Sequence, residues 1–310
     1  MKGENKNSLI YIVLPVYNWE KYFLEQLMSI YYQSYTNWFL IIINDWSTDN
    51  SENIAKKFIS DYELKNKVKI IKKENWGLNS AITRWLEEIK KLCNINDDNN
   101  LVCYCDCDDA WTRNKLETQI NYMRNNPWYW LSYNDLMVVD ENWMIKNPSV
   151  LWIHRQNDSF LYIATVGWFV IATMMFKAKY IDDILPMPIW KSMAQDYWTA
   201  LVLSLLNVKI LYINKQLWIY RDRPKSMSKD VLSSYDLRER RQNYYKFLQE
   251  RFPDKDLSYV IKCNQDRMVN RRKNWKPLIY AWIMLLIKYP KVFFLYFKAQ
   301  LYKLYMLLKK

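Results

Sequence analysis

Five apolar runs of β character, Leu9–Val16, Phe39–Asp45, Val68–Ile71, Leu101–Asp106 and Leu131–Val139, alternate along the first 140 residues with four helical patterns. The helical segments, Lys21–Gln33, Ser51–Tyr62, Asn79–Leu92 and Arg113–Asn125, each space their apolar residues three and four apart. Such alternation is the signature of βαβ units and predicts an α/β fold, a mostly parallel sheet flanked by helices. Asn50-Ser51 and Thr112 are N-cap candidates, and Pro127 lies just past the fourth helix. Beyond residue 140 the pattern loosens. It predicts a strand at Val170–Phe176, a helix at Ala194–Leu206, a strand at Val208–Ile213, and helices at Tyr235–Arg251 and from Pro277 to the end. A boundary near Leu232 divides residues 1–232 from a basic, aromatic-rich helical C-terminal region, 233–310.

With 310 residues, half of them apolar, the chain buries a full core. Its net charge of +13 is concentrated: from Arg267 to Lys310 there are eleven basic residues and no acidic one, so the body is nearly balanced. Three of the five cysteines, Cys103, Cys105 and Cys107, alternate along one apolar run, which suits a strand face and reduced thiols better than a disulfide framework or a zinc site. Reduced thiols, and a polar start that leads straight into a strand, give the expectation of a cytoplasmic protein.

Glycine is scarce, 3 residues in 310, while tryptophan reaches 16; globular chains carry roughly 7% glycine. Several tryptophans sit in turn contexts, Asn18-Trp19-Glu20, Asp45-Trp46-Ser47 and Asn75-Trp76-Gly77, where tolerance of positive φ is wanted and Trp does not supply it. The pattern predicts that many tryptophans stand where the natural polypeptide has glycine, as when a UGA codon reassigned to glycine is translated as Trp.

In an open α/β sheet, ligands bind beyond the carboxyl ends of the strands. The first run ends Leu14-Pro15-Val16-Tyr17-Asn18, a ring and an amide suited to a planar base, though a simple turn accounts for them equally well. The second ends Ile43-Asn44-Asp45, where the carboxylate either accepts a base N–H or caps the next helix. The fourth ends Cys105-Asp106-Cys107-Asp108-Asp109-Ala110-Trp111. Three carboxylates in four residues repel one another unless a cation lies between them, and hard oxygens suit Mg2+ or Mn2+ bridging to substrate phosphates.

The segments LPVYNWE, NDWSTDNS and CDCDDAW together resemble the motifs of the family 2 glycosyltransferases, the last being their DxD motif. The likeness spans roughly residues 8 to 230 and runs through ENWGLNSAITRW, NPWYWLSYND and the segment from Gly167 to Phe176, with many Trp falling where that family has Gly. It implies a GT-A fold with a Rossmann-like nucleotide-binding half. It further implies that Pro15, Tyr17 and Asp45 contact the nucleoside, that Asn18 and Glu20 belong to the donor-binding set, that Asp106 lies near ribose and metal, and that Asp108 coordinates the metal. Ala194-Gln195-Asp196-Tyr197-Trp198 resembles the family's ED motif, with Asp196 as general base and Gln195 in place of the usual Glu. Ile219-Tyr220-Arg221 and Lys225-Ser226-Met227-Ser228 look like the segment that closes over the diphosphate, with Arg221 on the donor; the His often found there is absent and Arg223 is nearby.

The activity so implied is transfer of a sugar from a nucleotide-diphosphate sugar, UDP-linked by resemblance, to a glycan or lipid-linked acceptor. Inversion at the sugar and a place in cell-envelope polysaccharide or glycoconjugate synthesis complete the expectation. A single histidine, His154, argues against Ser–His–Asp or Cys–His catalysis, and neither GxGxxG nor a P-loop occurs. A nucleotidyltransferase on the same fold calls for a Gly-rich basic loop after the first strand, which is missing. A catalytically inactive GT-A-fold protein that binds membrane surfaces is the alternative that Gln195 and the missing His leave open.

In the tail, Lys288, Pro290 and Lys291 interrupt the apolar runs Leu278–Tyr289 and Val292–Leu308. Each buried charge costs ~2.5–3.5 kcal/mol in a spanning helix, so spanning is disfavoured. Interleaved basic and aromatic residues suit either an anionic membrane surface or a helical pair packed on the domain. Nucleic acid is not expected, because the aromatics stand among apolar neighbours.

Overall fold

A computed structural model describes residues 8–74, 77–150, 160–165, 171–188, 195–223, 234–272, 286–295 and 297. The βαβ alternation produces β1 (Leu9–Val16), α1 (Glu20–Tyr31), β2 (Trp38–Asn44), α2 (Ser51–Asp61), β3 (Val68–Lys72), α3 (Leu78–Leu92) and β4 (Asn100–Tyr104). Next come β5 (Ala110–Trp111), α4 (Lys115–Asn125), β6 (Leu131–Val139), β7 (Ile145–Asn147), α5 (Phe160–Thr165), β8 (Met174–Lys177) and α6 (Ile181–Ile184). The described elements finish with α7 (Gln195–Leu205), β9 (Ile210–Arg221), α8 (Ser234–Arg251) and α9 (Ser258–Arg272).

All of the strands join one sheet in the order β3-β2-β1-β4-β8-β6-β9-β5, with β7 hung on β6. The first four pair in parallel, as the alternation predicts. Beyond β4 the sheet turns mixed: β8 runs antiparallel to both β4 and β6, and β5 antiparallel to β9, while β6 and β9 are parallel. β1, β2 and β4 are buried on both faces, so they read as near-continuous apolar runs and not as alternating ones, whereas β3, at the edge, is only partly buried.

Helices α8 and α9 pack on the sheet. Tyr244, Tyr245, Leu248, Leu257 and Val260 belong to the same apolar core as β1 and β4. Tyr244 stacks on the fully buried Trp198 of α7 with ring centroids 5.9 Å apart, and Tyr245 donates its hydroxyl to the Ala164 carbonyl at 2.5 Å. The proposed boundary near Leu232 lies outside the described residues. Most of the predicted final helix does too, but residues 286–288 and 290–295 are helical. There Tyr289 and Val292 are buried with Cys263 against Leu161, whereas Ile287, Phe294 and Phe297 are exposed. All five cysteines are free, four of them buried.

Trp46 has φ 67° and Trp143 φ 65°, both in the left-handed region. A side chain there costs about 1–2 kcal/mol relative to glycine. Trp19, at φ −124°, makes no such demand, and Asn75 and Trp76 lie outside the described residues. Trp85 is fully buried, yet its indole N–H finds no acceptor among the described residues. Trp46→Gly is expected to raise the free energy of unfolding by about 1 kcal/mol, read by urea titration. Trp143→Gly yields less, since it also removes a ring stacked on Arg221 at 4.3 Å. The intact mass of protein made in its native host tests the replacement itself; a mass that accounts for all 16 tryptophans rules it out.

Candidate functional site

Register places the first two sequence clusters side by side. Val16 pairs with Asn44, and the Asp45 N–H continues the ladder to the Val16 carbonyl at 2.9 Å. The loops that follow are laced together. The Asn18 side-chain oxygen accepts from the Thr48 N–H at 2.8 Å, the Glu20 N–H donates to Asp49 at 2.9 Å, and the Glu20 carboxylate accepts from the Asn50 N–H at 2.9 Å. Asn18 and Glu20 therefore hold the β1–α1 and β2–α2 loops as one shelf. Tyr17, 46% exposed, offers its ring to solvent at the edge of that shelf, and Pro15 lies within β1 itself.

Asp45 is buried and takes the ammonium of Lys73 at 2.7 Å. Lys73 was not singled out in the sequence, although the signal exists: β3 lies beside β2, Lys72 pairs with Asn44, and the next residue of each strand must meet.

The acidic turn leaves β4 and is fixed by β5, whose Ala110 and Trp111 pair with Ile219 and Trp218 of β9. This pairing delivers the end of β9 onto the carboxylates. Asp109 is buried, accepts the Arg221 backbone N–H at 2.8 Å, and has its carboxyl pushed well above the usual range by burial and by the neighbouring Asp106 charge. Its carboxyl is thus committed to the backbone of β9. Behind the turn, the wholly buried Lys115 lies 3.3 Å from the Cys103 sulfur and 4.4 Å from the Trp111 ring centre.

Arg221 ends β9 and Arg223 follows two residues on. Arg221 is 2% exposed; its guanidinium is paired with Glu25, donates to the Asp108 carbonyl at 3.3 Å, and sits between Tyr22 at 4.4 Å and Trp143 at 4.3 Å. Arg223 carries the charge that meets Asp108, forming an ion pair with its carboxylate and stacking 4.0 Å over Trp19. The expectation placed Arg221 on the donor with Arg223 nearby; here the Arg221 guanidinium is paired with Glu25, and Arg223 meets the Asp108 carboxylate.

Asp196 is the second residue of α7; its side chain, like that of Gln195, lies outside what is described. The helix itself is anchored. Tyr197 donates to the Ala164 carbonyl at 2.7 Å, Trp198 to the Ile184 carbonyl at 2.8 Å, and Thr199 meets the Tyr104 hydroxyl at 3.4 Å. Because Tyr104 ends β4, the first turn of α7 is tied to the strand that opens into Asp106. The 225–228 segment and His154 are outside the described residues.

The sequence profile described as Glycosyl transferase family 2 matches residues 11–179, more than half of the chain. The chain belongs to this family. Among family members, GlyA of Streptococcus pneumoniae is 28% identical over 240 residues, 71% of this chain and 31% of GlyA. The chain spans about a third of the length of the curated relatives it matches. S. aureus TarS, residues 1–349 in complex with UDP-GlcNAc, superposes with a TM-score of 0.60 at 16% identity over 86% of this chain and 73% of that one. The Pyrobaculum calidifontis mannosyltransferase PcManGT, in complex with GDP-Man and Mn2+, superposes with a TM-score of 0.54 at 14% identity over 97% and 88%. The fold is thus that of the GT-A transferases.

Asp109→Ala removes the buried acceptor of the Arg221 N–H. It is expected to lower stability by about 1–3 kcal/mol, measured by chemical denaturation.

Proposed function

We propose that this chain is a metal-dependent, inverting glycosyltransferase that moves a sugar from a nucleotide diphosphate, UDP being favoured, onto a glycan or lipid-linked acceptor. The observation that carries the reading is the convergence of strand ends: the Tyr17–Asp45 shelf, the Asp106–Asp108 turn and the start of α7 all belong to the carboxyl edge of the parallel half. In this reading residues 1–232 are the catalytic domain and 233–310 its helical extension. Tyr17 stacks on the base, Asp45 accepts from it, and Pro15, Asn18 and Glu20 form the shelf beneath.

Among the described residues no three of His, Cys, Asp and Glu converge into a self-sufficient metal cage. Two carboxylates are nonetheless the donor set that Mg2+ or Mn2+ takes when substrate phosphates supply the remaining oxygens. Asp106 and Asp108 would hold the ion, whose chemistry is Lewis-acid stabilisation of the leaving diphosphate. Asp196 takes the proton of the acceptor hydroxyl as the sugar C1–O bond breaks, and attack on the face opposite the diphosphate inverts the anomeric centre.

Nucleotide release from a screen of nucleotide sugars, with Mn2+ or Mg2+, tests the assignment. Asp196→Asn is expected to lose ~10²–10⁴-fold in turnover, the range of a positioned general base. Asp108→Asn is expected to lose about 10²-fold or more, as for removal of one electrostatic stabiliser. Wild-type turnover in both variants sinks the roles, and no turnover of any donor by wild type favours the inactive, surface-binding alternative.

We place the protein on the cytoplasmic side, peripheral to an anionic membrane surface and without a nucleic-acid partner. Among the described residues no helix is long and apolar enough to cross a membrane. The tail buries Tyr289 and Val292 while Ile287, Phe294 and Phe297 face outward beside the exposed Lys288 and Lys291. Apolar rings flanked by ammonium groups suit an interface of anionic headgroups, where each Lys adds about 1 kcal/mol. Flotation with phosphatidylserine vesicles is expected to carry the full chain and to fail for Phe294→Ser/Phe297→Ser; equal flotation of both would remove the membrane from the reading.

A further inference from the structure

The Arg223–Asp108 pair is held almost out of water, the two side chains being 8% and 14% exposed. One face of the guanidinium is covered by Trp19, and its Nε has no partner among the described residues. Asp108 is the carboxylate in direct contact with Arg223, with the Asp106 charge also acting on the guanidinium, and Asp108 itself sits one residue from Asp109 and two from Asp106. A divalent ion that takes Asp108 strands a buried guanidinium, which is strongly unfavourable. A diphosphate removes the conflict, because its anionic oxygens match the guanidinium fork.

We propose that Arg223 is an internal counter-cation of the donor site, a positioning residue that occupies Asp108 in the donor-free protein and passes to the diphosphate when ion and donor enter together. This rests on the reading of Asp108 as an ion ligand. Free ion is resisted, ion and nucleotide bind as a unit, and departure of the diphosphate returns Arg223 to Asp108 and expels the ion. No bond is made or broken; one ionic partner is exchanged for another.

Calorimetric titration of the full chain with Mn2+ alone, and with UDP in saturating Mn2+, separates this from a structural ion pair. Arg223→Gln is expected to bind Mn2+ alone about fivefold tighter than wild type and UDP about fivefold weaker, the scale of a modest coupling between sites. Arg223→Lys keeps the charge and is expected to hold the ion-only affinity at the wild-type level. A purely structural role predicts the opposite sign, weaker Mn2+ binding with a lowered melting temperature. Should Arg223→Gln not fold, Arg223→Met retains the aliphatic stem and carries the same comparison. The inference is overturned if the ion-only affinity of a folded Gln or Met variant is equal to or below that of wild type. If, in addition, wild type binds Mn2+ with UDP and Asp108→Asn abolishes it, the donor-site reading survives that result. If no form binds Mn2+ with or without UDP, both readings fall together.

Discussion

The short antiparallel pairing of Ala110 and Trp111 with Ile219 and Trp218 governs how charge is arranged in this protein. On one side of it lies a turn with three carboxylates, on the other a strand end with two guanidinium groups, and neither cluster is tolerable alone in so buried a setting. The pairing sets them against each other with a division of labour. Asp109 and Arg221 are consumed by the scaffold, Arg221 being clamped between two rings and Glu25, while Asp108 and Arg223 meet in an ion pair beside Asp106. A two-residue strand thereby sets Asp109 against the backbone of Arg221 and the Asp108 carboxylate against Arg223.

The same logic of shared edges explains the nucleotide side. Parallel pairing of β1 with β2 and β4 brings three strand exits to one edge, and side chains that looked like ligands in the sequence serve first to join the loops. Asn18 and Glu20 spend their polar groups on the neighbouring loop, and Asp45 takes Lys73. A rigid shelf of this kind fixes the backbone from which the exposed Tyr17 ring projects.

Much of this was legible beforehand. β1 and β6 occupy the predicted residues and α2, α3 and α7 differ by a residue or two, because long apolar runs of fixed period leave few alternatives. What escaped had weak local signals. β5 has two residues and exists only because β9 is beside it. β9 was cut short at Ile213 because Asn214, Lys215 and Gln216 look like a turn, whereas a register shift against β6 near Asp135 accommodates them. The acidic turn was recognisable, but nothing in the spacing of Asp106, Asp108 and Asp109 tells which carboxylate points inward. Likewise Arg221 and Arg223, two positions apart on an extended segment, are equivalent as letters and differ only once Tyr22 and Trp143 close around one of them.

The stacking of Trp198 on Tyr244 has a reach beyond packing. It binds α7 to a helix some forty residues later in the chain, so the first turn of α7 inherits its rigidity from the roof above it. A protein trimmed near residue 232 would lose that roof and leave a bare indole at the back of the helix. Substitutions along α8, far from any strand end, therefore reach the start of α7 through this ring pair.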